Sequence, residues 1–126
     1  MKIVFACVEN SCRSQIAEAL AKKMFADSDF EFFSAGTHPA KKVDEGTISI
    51  LKQTGIQWKG FPKTFADIDK PDVVVTMGCD VKCPYIPKAK MISWDIPDPK
   101  GKNQEEYEKT TLLIKRKLID LIDTSI

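Results

Sequence analysis

The first 36 residues of this 126-residue chain limit its fold more than any other stretch. An apolar run, Lys2 to Ala6, leads into a polar loop. Ile16, Ala17, Leu20, Ala21 and Met24 then recur at helical spacing between about Ser14 and Phe25. A second apolar run, Phe30 to Ser34, follows and ends in Ala35-Gly36. Strand, helix and strand in so short a span form a βαβ unit, whose crossover is right-handed. The rest of the chain extends this rhythm. A second helix is predicted over Val43 to Leu51, stopped at Thr54-Gly55. Gln57 to Lys70 is irregular, with Gly60 and Pro62. Asp72 to Met77 is the clearest strand, Lys90 to Trp94 a fourth. A last helix, Gln104 to Ile122, places Tyr107, Thr111, Ile114, Leu118 and Leu121 on one face. The expectation is one α/β domain over residues 1–126. It is a doubly wound sheet of four parallel strands with helices on both faces, binding ligands at the carboxyl ends of its strands.

Charge narrows the partners. There are 19 basic and 18 acidic side chains for a net charge of +1, and no Lys/Arg tract is longer than three residues. Neither a nucleic-acid stripe nor a membrane-binding face is expected, so an anion must be held by a local site. The N-terminal apolar run is short and lacks a small-residue cleavage site, and no stretch approaches the ~20 apolar residues of a membrane span. A cytoplasmic chain is therefore expected. In a reducing compartment its four cysteines point to redox or metal chemistry rather than structural disulfides.

The loop Cys7-Val8-Glu9-Asn10-Ser11-Cys12-Arg13-Ser14 joins the first strand to the first helix. Backbone N–H groups and a helix N-terminus converge at such a turn and favour an anion. Arg13 offers a planar bidentate fork to two oxygens of a tetrahedral oxyanion, and the Cys7 sulfur faces its central atom. The positive surroundings favour the nucleophilic thiolate, to which Ser14 can donate its hydroxyl. Asn10 suits a left-handed backbone position in a loop without glycine. The plainer alternative is a buried Cys7 at a strand end and a solvated Arg13. Placement at the strand-to-helix turn, with Ser14 following, argues against it.

The segment CVENSCRSQIAEAL resembles the loop and first helix of the low-molecular-weight tyrosine phosphatase superfamily, a flavodoxin-like fold. Gln15, where the phosphatases usually carry proline, is similar to the arsenate reductase branch. SAGT at Ser34 to Thr37, VVVTMGC and WDIPDP continue the likeness along nearly the whole chain. The resemblance implies Asp98, directly before Pro99, as the acid that protonates a leaving oxygen. From local sequence alone, Asp98 and its neighbour Asp95 are turn aspartates. It also implies a thiol relay. Cys7 attacks arsenate, Cys79 attacks the Cys7 sulfur and releases arsenite, and Cys83 attacks Cys79 to leave a Cys79–Cys83 disulfide. Thioredoxin or glutaredoxin would then supply the electrons.

In this chain only three residues separate Cys79 from Cys83, against a longer loop in the best-known thioredoxin-coupled members. This bears on the reductant more than on the chemistry. Cys12 also occurs in phosphatases and is expected to have a structural or tuning role. No redox cofactor is required, since the cysteines carry the electrons. The resemblance further implies a potassium ion near Asn10, Glu18 and Ser34; the plainer reading is a cap and a surface helix charge. Phosphate and sulfate are expected to compete with arsenate, and the chain is expected to be a monomer. Three rivals stand beside this reading: a tyrosine phosphatase on the same fold, a thiol redox sensor without turnover, and a zinc site using Cys79 and Cys83. Phosphatases of the family place tyrosines after the acid loop, whereas Lys100-Gly101-Lys102 stands here and the nearest tyrosine is Tyr107.

Overall fold

The computed structural model describes residues 1–77, 86 and 88–125. Strand β1 (Lys2–Cys7) leads into helix α1 (Arg13–Met24), strand β2 (Glu31–Gly36) and helix α2 (Glu45–Gln53). A 3-10 turn (Phe65–Asp67) precedes strands β3 (Val73–Met77) and β4 (Lys90–Trp94), and helix α3 (Gln104–Ser125) closes the chain. The strands lie in the order β2-β1-β3-β4, and each neighbouring pair is parallel. Strand β1 is thus flanked on both sides, which is why its sequence shows no polar alternation. Cys7 pairs with Gly36 and Met77 with Trp94. These four residues mark the carboxyl edge of the sheet, and the strand order reverses at β1, where an open α/β sheet leaves its crevice.

Ile3, Phe5, Val73, Val75 and Met77 join one buried cluster with Ile16 and Leu20 of α1, Ile50 and Leu51 of α2, and Ile114 and Leu118 of α3. The Phe5 ring lies 6.3 Å from Phe32 and 5.8 Å from Trp94, centroid to centroid. The opposite face buries Val4 and Ala35 against Ile68, with Phe33 and Phe65 at its margin. Helices on both faces were expected, yet among the described residues all three α-helices feed a single cluster. The other face is covered by the stretch around the 3-10 turn, through Phe65 and Ile68, before the chain enters β3. Among the described residues no helix is long and apolar enough to cross a membrane.

The element boundaries follow local chemistry. The Asp44 side chain accepts the Thr47 N–H at 3.2 Å and caps α2, and the Tyr107 hydroxyl from α3 donates to the same carboxylate. Gly55, at φ 87°, supplies the left-handed stop beyond α2. The residues predicted for the inner face of α3, Tyr107, Thr111, Ile114, Leu118 and Leu121, are all buried. Helix α1 is buried at every position from Arg13 to Ala21, because the sheet, α2, α3 and the 57–63 stretch surround it.

Candidate active site

The Cys7–Ser14 segment curls around the carboxyl end of β1. Its carbonyls turn away from the centre: Val8 O accepts the His38 N–H at 2.8 Å, Glu9 O that of Ala40 at 2.9 Å, and Ser11 O that of Asp44 at 2.9 Å. The Asn10 carbonyl is taken by Gln15 Nε2 at 2.9 Å. In a trans peptide the N–H points opposite to the C=O, and no described peptide bond is cis. The N–H groups of Glu9, Asn10, Ser11 and Cys12 are therefore aimed inward. No acidic residue stands in the first turn of α1 to oppose an anion there. Cys7, Val8, Glu9, Ser11, Cys12 and Arg13 line a cavity of about 180 Å3, closed on its other side by Asp98 and Lys100.

Asn10 takes the left-handed conformation expected of it, with φ 51°, and is fully buried. Its side chain gives a direction to the hydrogen bonds behind the sulfur. Asn10 Oδ1 accepts the backbone N–H of Lys63 at 3.0 Å and Gln15 Nε2 at 3.1 Å. The amide nitrogen must then face the other way, and it donates to Ser14 Oγ at 2.7 Å. That leaves the Ser14 hydrogen for Cys7 Sγ, 2.8 Å away. Gln15 is held in turn by the Phe61 carbonyl at 3.1 Å and by the Trp58 indole N–H, which donates to Gln15 Oε1 at 2.7 Å.

Arg13 Nη1 donates to the carbonyls of Met77 at 2.5 Å and Ile96 at 2.8 Å. The guanidinium thus ties the ends of β3 and β4 to the loop. Both hydrogens of that nitrogen are engaged, so the fork left for an oxyanion is the Nε–Nη2 edge. Nη2 stands 3.8 Å from Asp98 Oδ2. Asp98 lines the cavity and Asp95 does not. Lys100 Nζ reaches Glu9 Oε2 at 2.9 Å and Ser11 Oγ at 3.4 Å, bridging the mouth from the acid loop to the oxyanion loop. The bond to Glu9 raises the pKa of Lys100, so the ammonium holds its charge.

Cys12 is buried beside this site, and burial pushes its thiol up to about 12, against a weaker opposing pull from its hydrogen bond with Thr47. It is a neutral packing group at neutral pH. Burial, followed by the bond to Asp44, raises Tyr107 as well. Glu18 and Ser34 meet behind the loop, where Ser34 Oγ donates to Glu18 Oε1 at 2.5 Å. Lys63 Nζ lies 3.4 Å from each of them. Sequence reasoning missed Lys63, Trp58 and the Glu9–Lys100 bridge. Lys63 and Trp58 come from the irregular 57–70 stretch, which carries no periodicity to flag them. Cys79 and Cys83 lie outside the described residues.

Residues 2–126 match the low molecular weight phosphotyrosine protein phosphatase family. An arsenate reductase of Staphylococcus aureus (strain Newman) is 37% identical over 121 residues, covering 90% of this chain and 89% of that protein. The crystal structure of arsenate reductase from Archaeoglobus fulgidus superposes with a TM-score of 0.84 at 28% identity, over 96% of this chain and 98% of the other. A thioredoxin-dependent arsenate reductase of Corynebacterium glutamicum gives a TM-score of 0.76 at 31% identity, over 98% of this chain and 60% of that one.

Proposed function

The chain belongs to the low molecular weight phosphotyrosine protein phosphatase family, on its arsenate reductase branch, and from that premise we propose that it reduces arsenate to arsenite with Cys7 as the attacking thiolate. The observation that carries this reading is that Cys7, its sulfur 2.8 Å from Ser14 Oγ, lines one small cavity with the loop of inward N–H groups, Arg13 and Asp98. A tetrahedral oxyanion there accepts the loop amides and the Nε–Nη2 edge of Arg13, and its central atom faces the sulfur. A S–As bond forms as an As–O bond breaks, and Asp98 delivers the proton that lets the departing oxygen leave as water.

The remaining steps rest on the family resemblance and on sequence position. Cys79 stands two residues after Met77, whose carbonyl is bound by Arg13. A Cys79 thiolate attacks Cys7 Sγ and makes a S–S bond. The S–As bond breaks with its electron pair going to arsenic, so As(V) becomes As(III). Cys83 then displaces Cys7 from Cys79. An external dithiol, thioredoxin in this reading and glutaredoxin as the alternative, reduces the resulting disulfide by thiol exchange. Phosphate and sulfate compete for the same cradle.

One observation weighs against an aryl phosphate as substrate. The mouth is bridged by the ion pair between Lys100 and Glu9, no aromatic ring lines the cavity among the described residues, and its volume of about 180 Å3 suits an inorganic oxyanion. NADPH oxidation through thioredoxin reductase and thioredoxin provides the test. Arsenate-dependent oxidation that disappears in Cys83→Ser supports the three-cysteine relay. Turnover with glutaredoxin and glutathione alone keeps the reductase and replaces the partner. No reduction with either system, together with brisk hydrolysis of p-nitrophenyl phosphate, would make the phosphatase reading the correct one.

A further inference from the structure

Glu18 is a carboxylate with 3% of its surface exposed, seated under the oxyanion loop among Ser34, Lys63 and Lys22. A charge buried this deeply needs a compensating cation. The family resemblance implies a potassium ion at this place, held by Asn10, Glu18 and Ser34. The residues present do not fit one. Asn10 Oδ1 already accepts two N–H groups, and the Asn10 carbonyl accepts Gln15. Glu18 Oε2 takes Lys22 Nζ at 2.6 Å.

The Lys63 ammonium lies 3.4 Å from Glu18 Oε1, 3.4 Å from Ser34 Oγ and 3.4 Å from the Phe61 carbonyl. The Phe61 ring centroid is 5.4 Å away. A carboxylate, a hydroxyl, a carbonyl and an aromatic face together form a cage for one monovalent cation. The Lys63 side chain is 14% exposed, while that of Lys22 is 48% exposed, so Lys63 supplies the inner charge.

We propose that Lys63 is a built-in cation that replaces an external monovalent metal ion in this chain and holds the oxyanion loop in its working shape. The coupling runs through one residue. The ammonium anchors Lys63 to Glu18, and its backbone N–H fixes the Asn10 amide, which orients Ser14 toward Cys7. Lys63 O also accepts the Gly36 N–H at 2.9 Å, at the end of β2. Lys63 is therefore a positioning residue, two hydrogen bonds behind the nucleophile's own partner.

The test compares potassium chloride with choline chloride at equal ionic strength, with two readouts that need no arsenate. These are the thermal unfolding midpoint and the rate at which iodoacetamide alkylates Cys7, followed by peptide mass spectrometry. The native chain gives the same values in both salts. Lys63→Met in choline chloride melts lower by about 5–10 °C, and its alkylation rate changes severalfold. Potassium restores both along a saturating curve, because the Met side chain is uncharged and ends one atom short of the ammonium position, leaving Glu18 Oε1, Ser34 Oγ and the Phe61 carbonyl to the ion. Lys22→Met serves as the surface control and shows no such curve. Stabilisation of the native chain by potassium over choline would overturn the proposal, and this arm holds even if Lys63→Met fails to fold. Equal losses of Lys63→Met in both salts would also overturn it, as would no loss in either.

Discussion

Gly36 is the position where adding one carbon has the most legible consequence. It ends β2 beside the oxyanion loop. A Cβ there would meet Val8 O at 2.5 Å and the Asn10 N and Cβ at 3.0 Å. Ordinary contact begins at 3.4 Å, so the loop must retreat by about 0.9 Å. Val8 O cannot yield freely, because it accepts the His38 N–H at 2.8 Å. Gly36 cannot yield either, since its own N–H is bonded to Lys63 O. Overpacking of this kind costs about 1–3 kcal/mol of stability. The displaced peptides are those aimed at the oxyanion, and a shift of about 1 Å in a reacting group costs roughly 100-fold in rate, or about 2.7 kcal/mol. Gly36→Ala should therefore lower kcat/KM for arsenate about 100-fold in the thioredoxin-coupled NADPH assay, with a modest loss in urea unfolding. Gly55→Ala is the comparison. Its φ of 87° strains any side chain by about 1–2 kcal/mol, but it lies at the far end of α2. It should lose stability and keep its turnover. Native kcat/KM in Gly36→Ala, or a fall no larger than in Gly55→Ala, would refute the claim that the loop is held by backbone contact.

Arg13→Met should lose about 2–4 kcal/mol in urea unfolding as well as activity, because the Met77 and Ile96 carbonyls lose a charge-assisted donor; unchanged stability would show that the tie is incidental. Lys100→Ala removes a half-exposed ion pair worth about 0.2–1 kcal/mol, so unfolding should barely move. Its kcat/KM ratio of p-nitrophenyl phosphate to arsenate should rise severalfold, and a constant ratio would mean the bridge does not set selectivity. Cys12 and Tyr107 hold their protons more tightly folded than unfolded. The stability this contributes is complete below pH about 9 and erodes as pH climbs toward about 12 for Cys12. Cys12→Ala should flatten part of that alkaline slope in urea titrations, and an unaltered slope would rule out the cysteine as its source.

Much of the site was legible because its chemistry is local. Cys7, Asn10, Arg13 and Ser14 fall within eight residues, and their convergence follows from a strand-to-helix turn that a doubly wound sheet places at its carboxyl edge. The backbone of Asn10 was readable for the same reason, since a glycine-free loop needs one residue tolerant of positive φ. Asp98 could be separated from Asp95 only with the family pattern, because both are turn aspartates locally and the difference is which one faces the cavity. Lys63 and Trp58 were hidden by distance in sequence. They act on residues 10 to 18 from a stretch whose conformation is set by tertiary contact, and neither helical nor strand periodicity marks them. The one-sided distribution of the described helices was equally out of reach. It depends on the return from β2 crossing the sheet as irregular chain, which hydrophobic spacing does not distinguish from a short helix.

The bond between Trp58 and Gln15 has a consequence for how the molecule can be observed. Of the two tryptophans, Trp94 is sealed in the core against Phe5. Trp58 is half-buried, with the Lys22 ammonium 5.5 Å from its ring, and its indole N–H is fixed to the amide that braces the loop. Indole emission responds to hydrogen bonding and to nearby charge, so the chain carries two optical reporters of different events. Trp94 follows global unfolding, while Trp58 reports strain in the oxyanion cradle within a molecule that stays folded. A Trp94→Phe variant would isolate the second signal and allow oxyanion binding to be timed by stopped-flow emission without a label.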